Sequence, residues 1–432
     1  MENNVLGKLT KYRLLAEGLV IGVITGLLVA LFRLALIKAD ELRDVLVGVA
    51  DKSILGAVAV ALILLAIAIA VSLILKWEPD CSGSGIPQVK SELEGNEDQV
   101  WWRVIIAKFT GCALAIGGGL ALGREGPSVQ LGAMVGKGLA RAGHRPLPEE
   151  RLLITCGAGA GLSAAFGAPL AGAIFALEEL RRSFNALILI TTMGATAASD
   201  FIAASILGVR PVFDFSIVTR LPLKYYWTIV LLGILLGAFG AFYNRTLSKM
   251  QDLFAKFNTT LTRMIIAFAI AYIMMFVYPI VLGSGSHIVK EICYGSYGLR
   301  ALAVLLVVKF VFSTGSFGSG SPGGIFLPLL VLGAITGGLY SRILTATIGI
   351  EEEYIVSFVV IAMAGYFSAV VRAPATGIIL ITEMTADFAS LLGLVVVSLV
   401  AFVVADLCGG RPVYDQLLER RLQGKKKAGQ KD

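Results

Sequence analysis

The sequence predicts an all-α membrane protein whose chain crosses the bilayer many times. Apolar residues make up 56% of the 432 residues and charged residues only 16%, whereas soluble domains average about 25% charged residues. The mean hydropathy is +0.82, and a soluble protein of this size could not bury so much apolar surface. These observations exclude a set of soluble domains and leave a polytopic membrane protein.

Roughly a dozen apolar stretches follow one another, judged against the length that a bilayer requires. Several are interrupted by Gly or Pro, and others are too short to cross about 30 Å at 1.5 Å per residue. Helices that stop within the membrane are tolerated only inside protein or beside a wet cavity. The clearest stretches are 14–37, 53–75, 103–122, 152–177, 186–207, 223–243, 263–282, 300–313, 325–348, 354–382 and 390–408.

Basic residues cluster at the two ends of the apolar region, which predicts that both termini are cytoplasmic. The net charge of +7 therefore reflects membrane topology, and we expect no nucleic-acid partner. No small-residue cleavage site follows the first apolar stretch, so we expect a retained span and not a signal peptide. The terminal clusters are Lys8, Lys11 and Arg13, and then Arg420, Arg421, Lys425, Lys426 and Lys427.

Histidine and cysteine usage argues against a metal centre or an enzyme. The two histidines cannot build a multi-histidine site, and the five cysteines never approach C-x-x-C spacing. An integral-membrane protease or lipid transferase would need a nucleophile–base set, yet neither H-E-x-x-H nor G-x-S-x-G is present. We expect no metal, no cofactor and no enzymatic activity.

The chain contains an internal repeat of about 200 residues. Gly83-Ser-Gly resembles Gly283-Ser-Gly, and Gly123–Pro127 resembles Gly324–Pro328. Residues 163–179 then align with residues 368–384, with seven of 17 positions identical. Paired halves with interrupted helices are typical of transporters whose site lies at the midplane. We predict a first repeat at 1–208, a second at 209–422, a junction near 208–222 and a short basic tail at 423–432.

Glu125 is the first candidate functional residue, because it stands among glycine and apolar residues. A carboxylate at membrane depth costs about 2.5 kcal/mol or more, so it indicates function. Gly126 and Pro127 suit the opening of a helix, whose backbone N–H groups would bind an anion when the carboxylate is absent or protonated. The alternative is a structural ion pair with Arg124.

Two Gly-rich loops could approach an anion closely. The first carries Ser84 with a hydroxyl donor, although a flexible turn is the ordinary explanation. The second, 317–328, would present the N–H groups of Ile325 and Phe326 at the start of an apolar helix. Its G-x-G-x-x-G lacks a βαβ unit, which excludes a dinucleotide site. Glycines for close helix packing are the alternative explanation.

Two further candidates lie near the predicted cytoplasmic face. Glu178 and Glu179 end an apolar helix, and one of them could face the interior and relay protons, or both could form a solvated pair with following arginines. Tyr414 begins a last amphipathic helix, where an interfacial tyrosine is the ordinary explanation. Glu383, at the repeat position of Glu178, is expected to be structural.

Together these motifs resemble the CLC family of chloride channels and chloride/proton antiporters. The resemblance covers residues from about 15 to 422, and its motifs stand in order. It implies an inverted-repeat fold with many short, tilted and broken helices, and a homodimer in the lipid bilayer. It also implies a bacterial inner or plasma membrane protein. The motifs are GSGIP at 83–87, GREGP at 123–127, GGIFLP at 323–328, VRAPATGIILITEMT at 371–385 and GGRPVY at 409–414.

The resemblance also implies a role for each candidate. Ser84 and Tyr414 would coordinate the central chloride through their hydroxyls, and the amides of Ile325 and Phe326 would complete the site. Glu125 would be the gating glutamate that competes with the anion. Glu179 would be the internal proton glutamate, a position that is commonly not acidic in family channels.

A chloride/proton antiporter is therefore the expected function. A passive chloride channel on the same scaffold is the first alternative. A fluoride/proton antiporter is less favoured, because many of those carry methionine where Ser84 stands. A cation-coupled symporter would show acidic or carbonyl-rich cation ligands, whereas these broken segments favour amide donors. The regulatory domains of many family members are not expected, since only ten residues follow Leu422.

Overall fold

The computed structural model describes residues 2–209, 211–213, 215 and 219–429, with side chains from Thr10 to Lys426 within those ranges. The described residues are all-helical, with one isolated β-bridge. Of the predicted features, the side chains of Lys8 and Lys427, junction residues 210, 214 and 216–218, and tail residues 430–432 lie outside the described residues.

The helices fall into two successive sets of eight, followed by one more. The short third helix of each set and the fifth, which follows a Gly-rich loop, correspond in order. The first set is α1 (Glu2–Lys52), α2 (Ile54–Trp77), α3 (Ile86–Glu94), α4 (Trp101–Gly117), α5 (Glu125–Ala142), α6 (Leu147–Phe166), α7 (Pro169–Phe175) and α8 (Ala186–Leu207). The second is α9 (Tyr226–Ala255), α10 (Thr260–Val277), α11 (Ser286–Cys293), α12 (Leu299–Gly318), α13 (Phe326–Ile348), α14 (Ile355–Val371), α15 (Pro374–Thr385) and α16 (Leu391–Leu407), and α17 (Val413–Gly429) follows.

Eight helices of the described chain are long and apolar enough to cross a membrane. Their burial differs widely: α13 and α14 are almost enclosed by protein, whereas α2 and α10 expose most of their apolar surface. Exposed leucine, isoleucine and phenylalanine side chains on outer helices suit contact with lipid. The prediction of an all-α polytopic protein is confirmed.

Three predicted stretches, 14–37, 223–243 and 300–313, end short of the helices to which they belong, which are α1, α9 and α12. The first, 14–37, is part of α1, a helix of 51 residues that is about 75 Å long at 1.5 Å per residue. It continues because Asp40 and Arg43 pair along one face at 2.6 Å while Leu46 and Ala50 stay buried. The stretch 300–313 likewise extends to Gly318 in α12.

Two other stretches, 152–177 and 354–382, each divide into two helices, as the predicted interruptions require. Gly167 ends α6 in the left-handed region, with φ of 66°, and Pro169 opens α7. Arg372 occupies the same place after α14, with φ of 70°. A left-handed arginine is strained, and its guanidinium is held by the carbonyls of Phe402 and Gly410.

Glycines let α5 and α6 approach closely, and these two helices lie beside the centre of the protein. A methyl group on Gly132 would overlap the carbonyl of Gly157, and one on Gly157 would overlap the carbonyl of Gly132. Neither helix backbone can give way without moving the other, because both are buried. Packing glycines therefore account for part of the Gly content, as expected.

Gly157→Ala is expected to destabilise the protein by about 1–3 kcal/mol or more, because the added methyl group must force α5 and α6 apart. Thermal unfolding of the purified protein in detergent would measure the loss. Gly48→Ala is the matched control: nothing lies within 4 Å of its added methyl group, so helix propensity should leave stability equal or slightly higher. Equal unfolding temperatures for the two variants would contradict the proposed packing constraint.

Candidate functional site

The N-termini of α5 and α13 meet in the protein interior. Gly123 and Gly324, just before these helices, exchange two backbone hydrogen bonds of 2.7 Å in an antiparallel bridge. The two glycines occupy equivalent positions of the repeat, and the residues around them are buried. Two helix N-termini, whose first N–H groups have no partner within their own helix, therefore lie close together.

Glu125 is fully buried at the first position of α5. Its Oε2 accepts a hydrogen bond of 3.3 Å from the backbone N–H of Leu327, at the start of α13. Its Oε1 has no hydrogen-bond partner among the described residues, and Arg124 Nε lies 3.9 Å away. The carboxylate thus occupies the anion-favouring end of the opposite helix, and the ion pair with Arg124 is long.

Ser84 and Tyr414 come together beside α5, although 330 positions separate them in the sequence. Their side chains are buried, and their hydroxyl groups lie close together. Neither makes a hydrogen bond of ordinary geometry within the described chain. A methyl group on Gly126 would overlap Ser84 Oγ. The two hydroxyls thus lie beside the N-terminus of α5 and are available to a ligand.

Ile325 and Phe326 form the start of α13 and are both buried. The ring of Phe326 packs against Phe166, Phe175 and Phe367, with ring centroids 5.3, 6.5 and 4.6 Å away. This cluster fixes the helix start. The role of the Ile325 and Phe326 amides stays a prediction, and the amide that contacts Glu125 belongs to Leu327.

Lys108 is a buried cation that the sequence reasoning missed. It is fully buried, and its ammonium donates to the carbonyls of Cys81 and Gly83, at 2.9 and 2.6 Å. It therefore fixes the loop that carries Ser84. The only available signal was a lysine within the apolar stretch 103–122.

The second half of the chain contains the same arrangement. Lys309 is fully buried and donates to the carbonyls of Val281 and Gly283, at 2.8 and 2.9 Å. These contacts match those of Lys108 at repeat offsets of 200 and 201 residues. The two halves thus share tertiary contacts as well as sequence.

Glu178, in the first half of the chain, binds backbone N–H groups of the second half, and Glu383 does the reverse. Glu178 accepts hydrogen bonds from the backbone N–H groups of Ala375 and Thr376, at 3.1 and 2.7 Å. Glu383 accepts from those of Leu170 and Ala171, at 3.1 and 2.8 Å. Each carboxylate therefore caps the helix N-terminus of the other half, which is the structural role expected for Glu383.

Glu179 lies in a π-helical turn, Ala176–Arg181, that continues α7. Its side chain is buried and forms an ion pair of 2.9 Å with Lys90. The alternative of a solvated glutamate pair bonded to the following arginines is wrong: Glu178 caps α15, and Arg182 binds Asp415 at 2.5 Å. The two neighbouring glutamates point to different partners, as helix geometry predicts.

A polar cavity of about 320 Å³ reaches Ser84 from the side of the chain termini. Serine hydroxyls, two glutamines and three arginines contribute to its wall. Arg420 and Arg421 are ion-paired with carboxylates, so the positive potential that would draw anions inward is partly neutralised. Its polar lining includes Ser82, Ser84, Gln88, Arg263, Arg420 and Arg421.

Comparison with known proteins gives consistent matches. The sequence model of the voltage-gated chloride channel family matches residues 66–406. The H(+)/Cl(-) exchange transporter ClcA of Vibrio vulnificus (strain YJ016) is 36% identical over 366 residues, which cover 82% of this chain and 78% of that protein. The ClcA of Vibrio campbellii is 34% identical over 435 residues, with coverages of 96% and 91%.

Solved structures agree. The structure of a slow cyanobacterial Cl⁻/H⁺ antiporter superposes with a TM-score of 0.90 at 33% identity, covering 95% of this chain and 98% of that one. A CLC-type fluoride/proton antiporter has a TM-score of 0.78 at 21% identity, covering 91% and 95%. The second likeness concerns the fold alone.

Proposed function

Because this chain belongs to the voltage-gated chloride channel family, we propose that it is an antiporter that exchanges chloride for protons across the membrane. The observation that carries the proposal is the position of Glu125, whose carboxylate binds the N-terminus of α13 where an anion would bind. The similar proteins named above are transporters, which agrees with the expected lack of enzymatic activity.

The proposed mechanism follows from competition for one place. Chloride would be held by the hydroxyls of Ser84 and Tyr414 and by the first amides of α13, those of Ile325 and Phe326. The charged Glu125 carboxylate binds at the same helix N-terminus and so competes with chloride. Protonation removes that charge, frees the amides and admits chloride, so proton and anion occupancy become linked.

Glu179 would pass protons between the interior and the cytoplasm. Its side chain is buried and interacts electrostatically with Tyr414. The anion would enter separately, through the cavity lined by Arg263 and Arg420. A proton route through Glu179 and a separate chloride route through the cavity, both leading to the same anion site, are what a chloride/proton exchanger requires.

The test uses purified protein in liposomes with a chloride gradient and a pH record outside. We expect uphill proton movement in the wild type. In Glu179→Gln proton movement should fall to the level of empty liposomes while chloride flux continues, because the relay group no longer ionises. Glu178→Gln is the matched control: the Glu178 carboxylate caps α15 and has no part in the proposed relay, so coupling should survive.

The two alternatives give different results in the same assay. Chloride flux without proton movement in the wild type would identify a passive channel. Fluoride flux faster than chloride flux would identify a fluoride exchanger. Ser84 and the buried carboxylate of Glu179 favour the chloride exchanger over both.

The remaining proposals concern assembly and orientation. We propose two repeats at 1–208 and 209–422 that meet near 208–222, with the basic tail 423–432 in the cytoplasm. The paired contacts of the two halves support this division. We further propose a homodimer in a bacterial inner membrane, with both termini inside.

A further inference from the structure

We propose that Lys90 is the positioning residue that stabilises the ionised Glu179 carboxylate and so lets this group release the proton that it carries. This proposal rests on the antiporter function proposed above. Lys90 and Glu179 are each 3% exposed, and 2.9 Å separates the ammonium nitrogen from Oε1. A cation at this distance stabilises the charged form of a buried carboxylate that desolvation would otherwise neutralise.

Lys90 binds a second carboxylate besides that of Glu179. Its ammonium also binds Oδ1 of Asp415, and the other oxygen of Asp415 accepts a hydrogen bond of 2.5 Å from Arg182. Burial alone would raise the pKa of Asp415, but the hydrogen bonds from Lys90 and Arg182 outweigh it, so this pKa lies below its usual range. Asp415 therefore competes with Glu179 for the ammonium group of Lys90.

The charges of this cluster balance only when Glu179 is ionised. Lys90 and Arg182 are then matched by Glu179 and Asp415, whereas a proton on Glu179 leaves the buried Lys90 to share Asp415 with Arg182, whose side chain is half exposed. Burial favours the protonated form of Glu179, and the ammonium group of Lys90 opposes that effect. The charged groups that act on Glu179 are Lys90 on α3, Asp415 on α17 and Arg182, and Tyr414 on α17 also lies near it; Arg182 in turn interacts with Glu94 on α3, and Arg181 with Arg151 on α6.

The position of Lys90 also connects the proton and anion sites. Lys90 lies on α3, which begins two residues after Ser84, and Asp415 directly follows Tyr414 in α17. The Lys90–Asp415 contact therefore joins the two segments that carry the proposed chloride-binding hydroxyls. A change in the charge of Glu179 acts on this contact through one shared ammonium group.

The test measures chloride-driven proton transport as a function of pH in liposomes. In Lys90→Met the pH of half-maximal proton transport should rise by roughly 1–3 units, because the carboxylate loses its cation. In Asp415→Asn the pH of half-maximal proton transport should fall, because the ammonium group of Lys90 then pairs with Glu179 alone. Lys90→Arg should retain a profile close to the wild type. Opposite shifts in two variants cannot arise from a general loss of stability.

Lys137→Met is the matched control. Lys137 is equally buried and binds Glu92 and Asp98, each at 2.5 Å, without contact to Glu179. Its pH profile should remain at the wild-type position. Lys90→Met combined with Glu179→Gln should lack proton transport, as the single Glu179 variant does.

The outcomes separate this proposal from the antiporter function. An unchanged profile in both Lys90→Met and Asp415→Asn, or an equal shift in Lys137→Met, would overturn the role of Lys90 while leaving the antiporter intact. A wild type that moves no protons would overturn the antiporter function itself. If Lys90→Met fails to fold, Lys90→Arg and Asp415→Asn still decide the question.

Discussion

Glu125→Gln is expected to pass chloride while moving no protons. Glutamine keeps the volume of the side chain but carries no negative charge, so it resembles the protonated glutamate permanently. It cannot compete electrostatically for the N-terminus of α13, where the wild-type carboxylate accepts the Leu327 N–H bond. Simultaneous records of chloride efflux and external pH would show chloride flux with proton movement at the level of empty liposomes.

The chain offers a matched control for this variant. Glu383 also places its carboxylate on the backbone N–H groups at a helix start, those of Leu170 and Ala171. Glu383→Gln should therefore cost about 0.5–2 kcal/mol of stability, as the loss of a helix cap does, and should keep proton exchange. Proton movement at the wild-type rate in Glu125→Gln would remove Glu125 from the coupling mechanism.

The broken helices could be predicted from the sequence because their signals are local. A glycine that accepts φ above zero and a proline two residues later divide 152–177 at Gly167 and Pro169. The start of α13 at Phe326 likewise follows from the Gly-rich loop before it. The length of α1 could not be predicted, because ion pairs and burial against distant helices extend it beyond its apolar core.

The partners of the buried charges could not be predicted, because each contact joins residues far apart in the chain. Lys90 lies 89 positions from Glu179, and Glu125 lies 202 positions from Leu327. The spacing of residues in a sequence predicts contacts between side chains three or four positions apart on one helix. The contacts of these buried charges depend instead on how distant helices pack. The repeat identified Glu178 and Glu383 as equivalent residues, but it did not predict the helix start that each of them caps.

Lys108→Met is expected to weaken chloride binding by roughly 10-fold, which corresponds to about 1.4 kcal/mol. Two effects combine. The loop that carries Ser84 loses the ammonium group that binds the carbonyls of Cys81 and Gly83, and the site loses a buried positive charge. The buried carbonyl of Cys81 loses its ammonium partner, which costs about 1–3 kcal/mol, whereas the carbonyl of Gly83 still accepts a hydrogen bond of 3.0 Å from the N–H of Gly323. Chloride titration of the purified protein by calorimetry, with its unfolding temperature, would measure both effects.

Lys309→Met separates electrostatics from stability, because the repeat duplicates the structural contact away from Ser84. Lys309 donates the same two hydrogen bonds, to the carbonyls of Val281 and Gly283, and is equally buried. Lys309→Met should therefore lose at least as much stability as Lys108→Met, but only Lys108→Met should lose chloride affinity. Equal affinity losses would mean that a buried lysine acts only by holding its loop. A larger loss of affinity in Lys108→Met would show that Lys108 contributes to chloride binding, whereas Lys309 only holds its loop in place.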